Sequence, residues 1–277
     1  MSESFETTFD TPEPIELHVE NGRGHIDVTA TDTAGTSVRI TGDRADEFDV
    51  RHLEGRVEVI PPRRDGGLFG RNHRAEIVVV VPAGSGLVAR SGSSTVSTHG
   101  RLGAARIDSG SGDLTVELVE GPTQVRSGSG DVAAEHLAGD SQVKSGSGDV
   151  RLRRVDGDLM VTTGSGDVVV GATAAKVAFK TGSGDVQVAS LADDLVYTTG
   201  SGDLDVKSAA AGRISAKTAS GDVSLGVVAG TPVWTDIRTA SGRLHSELPT
   251  TGEPADGQPF LEVRVTTASG DVTLHQG

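Results

Sequence analysis

The chain repeats itself every 18 residues, and no other feature limits its fold so tightly. From Ser109 onward, successive blocks open SGSGDL, SGSGDV, SGSGDV, TGSGDV, TGSGDV and TGSGDL. They set Asp113, Asp131, Asp149, Asp167, Asp185 and Asp203 at a constant interval. Later intervals stretch to 19, 21 and 28 residues, ending at Asp222, Arg243 and Asp271. Upstream, Thr95 in SGSSTV and His25 in NGRGHIDV hold the same place. Within one block Leu159, Val161 and Thr163 alternate with Met160, Thr162 and Gly164, the period of a strand. The phase slips at Gly166-Asp167, after which Val168 and Val170 form the apolar pair. Gly and Asp both tolerate turn dihedrals, so this is a corner. A second corner falls near Asp156-Gly157-Asp158. No window has a helical period.

Each block is too poor in apolar side chains to bury a core alone. The 277 residues include 38 Gly, one Trp, one Tyr and no Cys, and aromatics make up only 3%. Stacking solves the problem, because each block covers its neighbour and equivalent residues form columns about 4.8 Å apart. One inward column reads Ile107, Val125, Val143, Val161, Phe179, Tyr197, Ala216, Ile237, Val265; a second runs from Leu114 through Val168 to Leu244 and Val272. The expected fold is all-β: a single-chain parallel β-solenoid, right-handed, with 18-residue coils stacked in chain order. Residues 1–90 are less regular and read as an N-terminal β cap with the first irregular coils. Residues 91–277 read as the regular solenoid.

The charge balance narrows the function classes. The formal net charge of −14 argues against a nucleic-acid partner, which requires a basic face to neutralise phosphates. Without Cys there is no disulfide, thiolate metal site or catalytic thiol. The polar, acidic start from Met1 to Pro14 has no apolar segment of the signal-peptide kind, and no apolar run approaches the ~20 residues of a membrane helix. The expectation is a cytoplasmic protein with no membrane span; export without a cleavable signal is the alternative.

The entry FDTPEPIELHVENGRGHIDV, the segment IVVVVPAGSGLVA, the serial SGSGDV and TGSGDV coils and the late VWTDIRTASGRL resemble a family of bacterial β-strand-repeat proteins labelled "putative adhesin". The opening FDTPEPI and the lack of a signal segment are most similar to its actinobacterial cytoplasmic members. The resemblance implies a β-solenoid of unknown function and supplies no catalytic residues. Arg243 departs from the pattern by replacing the corner Asp.

The Asp column, Asp113, Asp131, Asp149, Asp167, Asp185 and Asp203, admits three readings. Each carboxylate can accept N–H bonds at its own corner, as in an Asx-turn. The column can bind Ca²⁺, which favours carboxylates and carbonyls. Two carboxylates about 5 Å apart can also hydrolyse a glycosidic bond, although that chemistry needs unequal environments and these copies are alike. The structural reading is favoured, and no cofactor is expected. The eight His residues lack metal-ligand spacing, and neither a phosphate-loop nor a nucleophile-elbow motif occurs. The alternation places Ser111, Ser129, Ser147, Ser165, Ser183, Ser201, Ser220 and Ser241 inward as a buried hydroxyl ladder.

Two regions are candidates for partner binding. The loop PPRRDGGLFGRNHR gathers Arg63, Arg64, Arg71 and Arg74 around Phe69 in an otherwise acidic chain. It is either a solvated loop or a contact for an acidic partner, an anion or another copy. The second is a strip of outward glycines. Gly146, Gly164, Gly182 and Gly200 form one column and Gly148, Gly166, Gly184 and Gly202 another, beside Arg126, Lys144, Lys180 and Lys217. The first column is expected to accept Ala at Gly164 and Gly182 without loss of fold. The leading reading is a non-enzymatic scaffold that docks an unknown protein partner, or another copy of itself, on a solenoid face. A carbohydrate-active parallel β-helix enzyme and a calcium-binding solenoid are the alternatives.

Overall fold

The computed structural model describes residues 3–62, 74–248 and 259–277. These residues are all-β, apart from a single 3₁₀ turn at Ala45–Glu47. Each regular coil contributes two strands. Leu159–Thr163 leads into the Gly-Ser-Gly-Asp corner, and Val168–Thr173 leads away from it. Strands of the first kind stack side by side into one parallel sheet, here called the pre-glycine sheet. Those of the second kind form the post-aspartate sheet. The register advances by one block per strand: Val161 lies against Phe179 and Phe179 against Tyr197. Inward residues of both sheets meet in a core chiefly of Val, Leu, Ile and Ala, with Tyr197 as its largest fully buried side chain. Burial pushes the Tyr197 phenol up to about 12, and its hydroxyl donates to the Asp203 carbonyl at 3.1 Å.

The chain divides into two compact units, Met1–Gly139 and Asp140–Gly277. In the first, the regular coils continue into the coil formed by Glu16–Asn21 and Arg23–Thr31, since Leu87 lies against Leu17 and Val96 against Ile26. Residues 32–62 and 74–82 then build outward. Arg56–Ile60 and Arg74–Pro82 pair parallel with that coil. Beyond them Asp49–Leu53, Gly35–Gly42 and Glu3–Asp10 join antiparallel. Buried Ala45 and Phe48 belong to the turn beside these strands. The Phe9 and His52 rings meet at 5.4 Å between the outermost strands of the two sheets.

The second unit departs from chain order. Leu261–Thr267 pairs directly with Gly212–Thr218, and Val272–Gln276 with Val223–Val227. The earlier strands Val233–Thr239 and Leu244–Ser246 lie outside them. The expected succession Ala216, Ile237, Val265 is therefore Ala216, Val265, Ile237. Leu244, assigned above to the inward core, is 54% exposed, with no further coil of the described residues over it.

Candidate functional site

The corner of each coil is built from a hydroxyl, two glycines and an aspartate. The buried hydroxyl column is not the predicted serine ladder. Ser147, Ser165, Ser183 and Ser201 are exposed, and the inward hydroxyls are Ser127, Ser145, Thr163, Thr181 and Thr199, two positions earlier. Strand alternation stops at Thr163, so Gly164 and Ser165 both face outward and the phase cannot be carried through the corner. Thr163 Oγ1 accepts the Gly166 N–H at 3.1 Å, and Thr181 does the same for Gly184 at 2.9 Å. The Ser145 hydroxyl donates to the Gly148 carbonyl at 2.7 Å, and that of Ser109 both donates to the Gly112 carbonyl at 3.0 Å and accepts the Gly112 N–H at 3.2 Å.

The glycine strip is corrected in two respects. Gly148, Gly166, Gly184 and Gly202 are buried, not outward. Gly164 and Gly182 are exposed, but each lies close under the backbone of the preceding coil. A Cβ on Gly164 would stand 2.5 Å from the Gly146 carbonyl oxygen, and one on Gly182 2.5 Å from that of Gly164. Ala cannot enter either position without a backbone shift, so the expectation of an undisturbed fold does not hold.

The aspartates act between coils and not within their own corner. Asp149 Oδ1 accepts the Asp167 N–H at 3.0 Å, Asp167 that of Asp185 and Asp185 that of Asp203, both at 2.9 Å. Asp203 accepts from Asp222 at 2.7 Å, Asp222 from Asp271 at 2.8 Å, and Asp271 from Arg243 at 2.8 Å. In the first unit Asp113 accepts from Asp131 at 3.0 Å. Arg243 is thus the terminal member among the described residues, and its guanidinium closes on Asp271 Oδ2 at 3.0 Å. The Arg243 N–H holds the Asp271 carboxyl below its ordinary range, and the guanidinium adds to this. A shorter ladder that sequence reasoning missed runs along the opposite corner, where Asp140 accepts from Asp158 at 3.1 Å and Asp158 from Lys176 at 3.3 Å.

On the outer face of the pre-glycine sheet of the second unit, one column reads Lys144, Thr162, Lys180, Thr198, Lys217, Thr266, Arg238. Lys144, Lys180 and Lys217 are exposed and make no ion pair with any described residue. They recur in alternate coils, roughly 9.6 Å apart at the strand spacing of a sheet. Several exposed arginines behave differently. Arg126 lies 3.9 Å from Asp108, Arg151 2.7 Å from Asp149 and Arg154 2.9 Å from Asp156. Arg213 and Arg264 share Glu262, each at 2.6 Å, and the hydrogen bond from Arg213 holds that carboxyl low. Of the predicted loop contacts, Arg63, Arg64, Phe69 and Arg71 lie outside the described residues. Arg74 begins a strand, and its backbone N–H donates to Asp43 Oδ2 at 3.3 Å.

Two stretches, 15–192 and 122–275, match the model of the Toastrack DUF4097 family, and the chain belongs to that family. Its β-solenoid architecture agrees with the stacked sheets. Among solved structures it is similar to a "putative adhesin" from Parabacteroides merdae, with 11% identity over 99% of this chain and 95% of that one and a TM-score of 0.49. It is also similar to a "putative adhesin" from Bacteroides fragilis, with 10% identity over 98% and 97% of the two chains and a TM-score of 0.37. A third is a "putative lipid binding protein" from Parabacteroides distasonis, with 14% identity over 98% and 96% and a TM-score of 0.40. No curated protein matches. Among the described residues, no helix is long and apolar enough to cross a membrane.

Proposed function

We propose that the protein is a non-enzymatic, adhesin-like interaction scaffold that docks an acidic protein surface on the pre-glycine face of its second unit. The observation that carries this reading is the row Lys144, Lys180 and Lys217, exposed, recurring in alternate coils and unpaired with any described residue. Ion pairs already made within the chain leave arginines little to offer a partner; these lysines have their charge free. The corner carboxylates favour neither alternative. Asp149, Asp167 and Asp185 each spend Oδ1 on the N–H of the next coil, a structural use that neither cation binding nor acid–base hydrolysis requires.

The test is a comparison of baits. Wild type and the triple variant Lys144→Glu, Lys180→Glu, Lys217→Glu are immobilised and exposed to an extract of the producing cells. The reading predicts a protein retained by wild type, released as salt screens the contact, and absent from the variant, with the melting temperature unchanged. An identical captured set on both baits contradicts it.

A further inference from the structure

At the outer end of the second unit the strand edges Val233–Thr239 and Leu244–Ser246 each have one neighbour only among the described residues. Between them lies a mouth of about 270 Å³, lined in part by Val227, Val233, Leu244, Leu248 and Leu274. Trp234 is 49% exposed beside it, with the Arg264 guanidinium 5.6 Å from its ring. An opening that mixes these apolar side chains with Thr231, Thr235, Ser246 and Gln276, flanked by free sheet edges, is a template for another strand.

We propose that two copies of the chain join tail to tail here, through a two-fold axis that continues both sheets. The backbone sets which registers are allowed. The Leu261 N–H bonds to the Pro232 carbonyl, so even-numbered residues of the edge turn their backbone groups to the neighbouring strand. Val233, Thr235, Ile237 and Thr239 turn theirs outward, and an antiparallel copy must meet them odd to odd. Charge then selects among these registers. Centring on Asp236 opposes it to its own copy, and centring on Arg238 opposes two cations. Centring on Ile237 sets Asp236 against Arg238 of the second copy, twice. Within one chain the same two side chains already pair at 3.2 Å.

The companion edge has the same design. Val272 N–H bonds to the Arg243 carbonyl and Glu247 N–H to that of Leu274, which leaves the backbone groups of Leu244 and Ser246 outward. Centring on Ser246 sets His245 against Glu247 of the second copy, a pair that within one chain lies at 3.2 Å. It also brings Leu244 against Leu248 of the second copy and closes the mouth. Both edges are thus self-complementary, as an isologous dimer requires. The inference uses none of the lysines of the proposed docking face, so either can fail alone.

Light scattering across a concentration series, on the full chain, tests the dimer against the 28.3 kDa monomer. Wild type is expected to dimerise. Asp236→Arg and Arg238→Asp, each alone, replace two attractions by two repulsions and weaken it about tenfold or more. Mixing these two variants restores a heterodimer, because all its opposed charges are again opposite. The double exchange Asp236→Arg with Arg238→Asp, which keeps the pair within the chain, dimerises like wild type. A wild type that stays monomeric, as it would if these charges only guard the edge, overturns the proposal. So does a dimer indifferent to single reversals, or a mixture that remains monomeric.

Discussion

The N-terminal end of the first unit and the outer end of the second face the same problem, a two-sheet stack that must stop. In the first unit the chain turns back. Antiparallel strands cover the last parallel ones, the turn at Ala45–Glu47 and buried Phe48 lie beside them, and Phe9 touches His52. In the second, Leu244 and Trp234 remain half-exposed around the mouth. The two ends also differ in charge. Asp49 and Arg51 on one N-terminal edge repeat the alternation of Asp236 and Arg238, but the adjacent outermost strand offers Glu6 and Asp10 with no cation of its own. A copy laid on that end meets like charge; a copy laid on the other meets its complement. A solenoid end is therefore not open by default. Among the described residues, this chain closes one end with its own antiparallel strands and leaves two edge strands of the other with a single neighbour each.

The largest effect that separates the ends should come from their aromatics. Phe48→Ala removes a buried side chain and is expected to cost about 3–5 kcal/mol in urea unfolding. Trp234→Ala, at a half-exposed site, should stay within about 0.5 kcal/mol at concentrations where the chain is monomeric. Equal costs would erase the distinction between closed and open ends.

An inner coil sets the scale between them. Gly164→Ala forces a Cβ against the Gly146 carbonyl and is expected to cost about 1–3 kcal/mol, like other overpacked sites. A melting temperature unchanged from wild type would show that coils yield as readily as the open end.

The corner ladder gives a smaller contrast. Asp222→Ala strips the acceptor from the Asp271 N–H and should cost about 0.5–1.5 kcal/mol, while Asp222→Asn, which keeps the acceptor oxygen, should cost less. Arg243→Ala, at the last rung, should fall within about 0.5 kcal/mol. A larger loss at Arg243 than at Asp222 would mean that the terminal coil is held by its guanidinium and not by the ladder.

The smallest expected effect is on pH dependence. The carboxyl of Asp271 is lowered in the folded chain, so its contribution is present above its ordinary value of 3.8 and is lost as pH falls below it. Acid titration of Arg243→Ala should show a weaker loss than wild type, since the side-chain bond is gone and the backbone bond remains. Identical acid profiles would remove the guanidinium from the account of that rung.

Much of this was legible in the repeat. Stacking, inward columns and corners follow from the period-two pattern of each block, because every coil solves the same packing problem with the same residues. The hydrogen-bond partner of each Asp was less accessible. A turn motif such as Gly166-Asp167 suggests a bond within its own corner, while the acceptor is used 18 residues on, by the next coil. The serine ladder was misplaced by two positions because alternation stops at Thr163, a point that depends on backbone direction. Stacking order at the ends was hidden, since nothing local makes the coil with Asp271 dock before the one with Arg243. One signal was nonetheless present. The coil that lacks the ladder Asp is the one that needs none, and Arg243 marks it as outermost.

Hydrogen exchange, followed amide by amide over a range of protein concentrations, tests the difference between the ends most directly. The account predicts that the outward amides of Thr235, Ile237 and Ser246 become protected as concentration rises, while amides of the outermost strand Glu3–Asp10 exchange at the same rate throughout. Concentration-independent exchange at Thr235, Ile237 and Ser246, or equal protection of both ends, would contradict it.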